Sequence, residues 1–199
     1  MVRNLGRVIT LTIFILFTFC SQPDEGYRVS DADMETILST LPKSATGVNV
    51  SKGNLDGDDL DEFVVVYDDS LKGTVLSILD GSYLRKFEVG LTIDHATKGR
   101  LLDMDSDGIL EVIVSGPSRG GKSLQIVRSQ AESFALVGDF WGLRVKLLDE
   151  DDDGIMEVEV ENRDFDRDPN RHTVNTLYRW NGTGFSIFRS YKASKRIIF

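Results

Sequence analysis

One cysteine, two histidines and four prolines are all that the 199 residues carry of those types, and each shortage closes off a class of chemistry. A single cysteine forms no intramolecular disulfide and no thiolate metal cage. His95 and His172 stand far apart, with no zinc-ligand spacing around either. Basic residues are short as well: 23 lysines and arginines face 32 acids, giving a net charge of −9. A surface of that sign repels phosphate backbones, which argues against nucleic acid as a partner. The apolar run Val8–Phe19 is too short to span a bilayer comfortably.

The residues that are present suit a globular β protein. Apolar residues at 41% and charged residues at 28% allow one domain with its own core. Eighteen glycines favour tight turns over long helices. The first twenty residues read separately. Arg3 and Arg7 precede the apolar run, and Cys20 comes directly after it. A basic start and a short apolar stretch make a secretory signal. With a cysteine at its boundary it resembles a bacterial lipoprotein signal, departing from that pattern at Phe17 and Phe19. The resemblance implies lipidation of Cys20, a membrane anchor, and a place in the bacterial cell envelope facing the periplasm or exterior. The alternative is an ordinary signal cut beside an incidental cysteine. The expected layout is a signal over 1–20, a tether and short helix over 21–47, and repeats over 48–199.

Three segments repeat one acidic pattern: NLDGDDLDEFVVV from Asn54, DMDSDGILEVIVS from Asp103 and DEDDDGIMEVEVE from Asp149. Positions one, three and five are Asn54, Asp56, Asp58, then Asp103, Asp105, Asp107, then Asp149, Asp151, Asp153. Position six is Gly108 and Gly154 in the later copies but Asp59 in the first; position nine is always glutamate, Glu62, Glu111 and Glu157. Oxygens at alternate positions of a tight loop converge on one point, and glycine permits the bend. A set of oxygens alone suits a hard cation, and calcium takes six to eight. The plainer alternative is that the acids decorate exposed turns. An EF-hand is excluded, because position twelve is Val65, Val114 or Val160 and each loop runs into a strand-like stretch instead of a helix.

D-x-D-x-D-G-x-x-E running into a strand resembles the FG-GAP/VCBS repeats of integrin-α-like β-propellers. The resemblance covers about residues 48–188. It implies an all-β fold of three four-stranded propeller-like blades, an incomplete or small propeller, with Ca2+ in the loop joining the first two strands. It also implies a non-enzymatic binding or adhesion module with a protein or carbohydrate ligand; exposed edges of an unclosed ring suggest self-association. The residues independently give four strands per repeat. These are 48–50, 100–102 and 145–148 before the loops, the valine-rich runs after them, then 74–79, 123–127 and 175–180, and finally 84–89, 134–137 and 185–188. Asn181-Gly182 reads as a hairpin turn. Ser30 caps a helix over 31–41 that Pro42 ends, packed against the end of the stack. Trp141, Trp180 and Tyr178 either line a carbohydrate face or fill the core.

GPSRGGKS offers a different class of function. Gly116, Gly121, Lys122 and Ser123 match the phosphate-binding loop of nucleotide hydrolases. That reading needs a helix after the loop to hold the phosphates, and residues 124–138 suit helix or strand. The repeat register favours a connector between strands, leaving a nucleotide hydrolase as the alternative.

Overall fold

The computed structural model describes residues 29–131, 133–166 and 172–194. The signal-like segment, Cys20, most of the tether and residues 195–199 lie outside the described residues. Helix α1 (Asp31–Thr40) starts where expected: the Ser30 hydroxyl accepts the Asp33 N–H, and the Asp33 carboxylate accepts the Ser30 N–H. Such a reciprocal cap satisfies amides that the first turn leaves free. Leu41, in extended backbone before Pro42, ends the helix.

Among the described residues twelve strands come after it in three four-stranded antiparallel sheets, each a simple meander. The first holds β1 (Thr46–Gly53), β2 (Glu62–Asp69), β3 (Gly73–Leu79) and β4 (Arg85–Gly90). The second holds β5 (Arg100–Leu102), β6 (Glu111–Ser118), β7 (Gly121–Gln130) and β8 (Ser133–Gly142). The third holds β9 (Arg144–Leu148), β10 (Glu157–Arg163), β11 (His172–Trp180) and β12 (Phe185–Ser194). Each sheet is open, and no closed barrel or ring forms among the described residues.

The sheets stack face to face, and strand alternation shows how. From β2, Phe63, Val65 and Tyr67 point one way and pack with Ile37 of α1; Val64 and Val66 point the other way. Val64 and Val66 join Val112 and Val114 of the second sheet in the first inter-sheet core. Ile113, on the opposite face of β6, meets Val158 and Val160 of β10 in the second. Each fully buried Val, Leu or Ile contributes about 1.5–3 kcal/mol. The outer face of the third sheet differs, because EVEVE alternates. Its valines face inward, while Glu159 pairs with Lys146 at 2.9 Å and Glu161 with Arg144 at 2.6 Å. The stack is thus covered by a helix at one end and by a charged ladder at the other.

The sheets also share one irregularity. The register between third and fourth strands shifts between Ile78 and Leu79, between Ile126 and Val127, and between Leu177 and Tyr178. In every sheet the second of these residues faces the strand residue just after the loop glutamate: Phe63, Val112 or Val158. A bulge at the same place three times marks the sheets as structural repeats.

GPSRGGKS is a hairpin. Ser118 pairs with Gly121 across it, and both central residues, Arg119 and Gly120, have positive φ (46° and 79°). Two such residues suit the tight turn that matches strand twist. Strand β7 comes next, so the helix N-terminus that a phosphate-binding loop requires is missing here.

Candidate metal centres

The acidic loops join the first two strands of each sheet, and the strand ladder presents their ninth-position glutamates alike. Glu62, Glu111 and Glu157 open β2, β6 and β10, and all three are buried. In each, Oε2 accepts the N–H of the second loop residue: Leu55 at 2.8 Å, Met104 at 2.8 Å and Glu150 at 2.9 Å. That bond fixes the carboxylate and leaves Oε1 to face the loop.

Three carboxylates then gather in each loop. Asp56, Asp58 and Glu62 form one group, Asp103, Asp105 and Glu111 the second, and Asp149, Asp151 and Glu157 the third, with oxygens within 4.8 Å of one another. The fifth-position acids of the later loops, Asp107 and Asp153, stand outside these groups. Each accepts an amide two residues on, Ile109 or Ile155, at 2.9 Å, as Asp58 accepts the Leu60 amide at 2.6 Å. Asp103 and Asp149 also tie their loops, accepting the N–H of Gly108 and Gly154 at 2.9 Å. In the first loop Asn54 has that bracing role: its Oδ1 accepts the Gly57 N–H at 2.7 Å and its amide donates to the Asp58 carbonyl.

The bend is shared differently from what the glycine pattern suggests. All three loops have positive φ at position four: Gly57 (82°), Ser106 (60°) and Asp152 (57°). The later two add a second at Gly108 (88°) and Gly154 (84°). Aspartate tolerates this region at Asp152, while the Ser106 hydroxyl donates to the Gly154 carbonyl at 3.0 Å. The first loop moves its glycine to that position and places Asp59 at position six, where the backbone needs no positive φ.

Electrostatics divide the loops. Arg128 reaches into the second, with Asp105 at 2.7 Å, Glu111 at 2.8 Å and Asp107 also paired. The contact with Glu111 Oε1 is an ion pair whose geometry makes no hydrogen bond. Arg179 does the same in the third, with Glu157 at 2.5 Å, Asp151 at 2.8 Å and Asp153 at 3.3 Å. The first loop has no such partner. Its ladder position next to Leu79, where the other sheets bring an arginine, is Asp80, whose carboxylate caps the turn at Ser82 and Leu84. Asp56, Asp58 and Glu62 form no ion pair among the described residues. Burial pushes the Glu62 carboxyl up, and Asp56 and Asp58 add to the push. Burial likewise raises Glu111 to about 7, against the Met104 amide and Arg128, which pull it down.

A donor set of carboxylate oxygens, without thiolate or imidazole, fits a hard divalent cation. The structure therefore brings together three acidic residues of the expected ligands in each loop; Asp107 and Asp153 stand beside their groups on the same arginines, and Asn54 braces the first loop. The arginines are what sequence patterns alone missed. The signal lay in strand register: LQIVR and TLYR each end with arginine beside the loop glutamate, and Glu157 pairs directly with Arg179. Trp180 and Tyr178 pack against Phe185 and Phe140, whereas Trp141 stands exposed. Among the described residues no helix is long and apolar enough to cross a membrane. Compared with known proteins, the chain matches no family model and no curated sequence.

Proposed function

We propose that this chain is a non-catalytic, calcium-binding repeat module of the FG-GAP/VCBS type, with propeller-like blades, exported and held at a bacterial membrane through a lipid on Cys20. The observation that carries the calcium reading is the threefold recurrence of one carboxylate group at one place in each sheet, each built around a buried glutamate braced by the same backbone amide. Calcium bound there would neutralise carboxylates that otherwise repel one another, and would stabilise the folded form by mass action. The charged outer face of the third sheet favours a stack that ends there over a ring that closes on itself. The exported, anchored part of the reading rests on the basic start, the short apolar run and Cys20.

A second reading has its own support. Arg128 and Arg179 already supply positive charge to two loops, so those two are arginine-closed turns and only the first loop takes an ion. Thermal melts of the metal-stripped chain with added calcium separate the readings. Full stabilisation lost only when Glu62, Glu111 and Glu157 are all changed to Gln supports three sites. Loss with Glu62→Gln alone supports one site, and absence of any calcium effect defeats both. For the anchor, Cys20→Ser moves the protein from the membrane to the soluble fraction; unchanged membrane association defeats lipidation at Cys20.

A further inference from the structure

The glycine-rich hairpin, left without a nucleotide role, walls a cleft on the second sheet, away from the acidic loops. This cleft of about 400 Å³ is lined by Thr92, Ser118, Arg119, Asp139 and Trp141. That volume lies within the range of small-molecule sites. Its principal feature is an indole that the fold holds in the open. Trp141 is 50% exposed, yet its Nε1–H donates to the Ser118 carbonyl at 3.0 Å. Ser118 is itself buried, and its hydroxyl donates to the Thr92 carbonyl. Gly121 makes room beneath: a Cβ there would lie 2.4 Å from the Gly142 carbonyl oxygen and 3.0 Å from Trp141 Nε1. A glycine, a backbone hydrogen bond and a cross-strand partner, Ser123, thus position a large aromatic side chain that fills no core.

Polar groups surround that ring. Asp139 accepts the Thr92 hydroxyl at 3.3 Å, and Thr92 Oγ1 also lies 3.0 Å from Ser123 Oγ. Gln125 faces Asp139 across the ladder and accepts the Thr92 N–H at 2.8 Å through Oε1. Its Nε2 is buried without a hydrogen-bond partner among the described residues, a donor left over beside the cleft. Arg119, at the hairpin tip, balances Asp139, so one cation and one anion flank the indole. A flat aromatic face, paired donors and acceptors, and no net charge suit a neutral ring with one apolar face and a rim of hydroxyls.

We infer that this cleft binds a neutral pyranose, stacked on Trp141, with its hydroxyls held by Asp139, Arg119 and Thr92. The site is separate from the acidic loops, and its test does not depend on calcium occupying them. The full chain is titrated with glucose, galactose, mannose and N-acetylglucosamine, each as the free sugar, with and without calcium. Trp180→Phe leaves Trp141 as the lone indole reporter, since the chain has two tryptophans. Saturable change of Trp141 fluorescence with at least one sugar in the millimolar range is expected. Trp141→Ala is expected to weaken binding about tenfold or more, measured by calorimetry. Asp139→Asn, an exposed change that leaves the core alone, is expected to weaken it as well, which guards against misfolding as the cause. Absence of saturable binding by all four sugars overturns the inference. So does binding that survives both variants, or a response to glycine in place of the sugars, which would mark a zwitterion site.

Discussion

At Arg128 one guanidinium meets three carboxylates, and that contact decides how the second loop behaves before any ion arrives. The side chain is mostly buried beside Glu111, so Arg128→Gln leaves carboxylates crowded without compensation. We expect metal-free stability to fall by about 3 kcal/mol, the usual scale for breaking a buried pair. Added calcium is expected to restore most of that loss and to bind the variant more tightly than the parent; equal loss with and without calcium in thermal melts would show that no ion takes the guanidinium's place. Asp69 offers a pH test outside the loops. The Leu71 amide, then the Ser44 hydroxyl, hold its carboxyl below the ordinary range. A lowered folded value means that its contribution is complete above about pH 4, the unfolded value. It fades as the pH falls through the folded value. Asp69→Asn should therefore destabilise at neutral pH and converge with the parent in acid, as read by denaturant melts across pH. At this scale the acids were readable because alternate spacing announces convergence. The arginines were not, because they come from another strand and only the ladder register brings them alongside.

Among the elements, strand order was legible from valine-rich runs and turn residues, and the Ser30 cap with Pro42 gave the helix. Strand limits were not, since 134–137 and 185–188 extend to Ser133–Gly142 and Phe185–Ser194 through stretches where polar residues or glycine break the apolar signal. The bulge recurring in the fourth strands was invisible, since an extra residue there leaves composition unchanged. Helix and strand were indistinguishable over 124–138, where apolar spacing fits both periods; the β6–β7 hairpin resolves it by pairing. Lys122 sits on β7 opposite Pro117. Lys122→Ala is accordingly expected to change stability by less than about 0.5 kcal/mol, as for an ordinary surface site, with no effect on nucleotide affinity. The second loop position carries a further contrast. Leu55 and Met104 are buried in inter-sheet cores, whereas Glu150, where no further sheet is stacked, is exposed and pairs with Arg189. Leu55→Ala should cost about 2–5 kcal/mol and Glu150→Ala under about 0.5 kcal/mol, measured by chemical denaturation. Similar costs at both positions would contradict the stacking order.

For the whole molecule, the alternation in EVEVE states that the third sheet turns valines to one side and acids to the other, and the strand content states the fold class. Neither reveals how far three sheets turn about a common axis, because that depends on side-chain volumes between the faces. A helix covers one end of the stack and ion pairs line the other. Sedimentation should find a monomer with and without calcium, and a calcium-dependent dimer would support ring closure between copies. The most direct test is calorimetric titration of the metal-stripped chain with calcium, and then a melt at saturating ion. Three structural sites require up to three ions bound, with each site at a hundredfold excess adding about 2.7 kcal/mol and raising the melting temperature by about 5–10 °C. No heat of binding and no shift at millimolar calcium would contradict calcium binding, leaving the second and third loops as arginine-bridged turns and the first as an acidic turn.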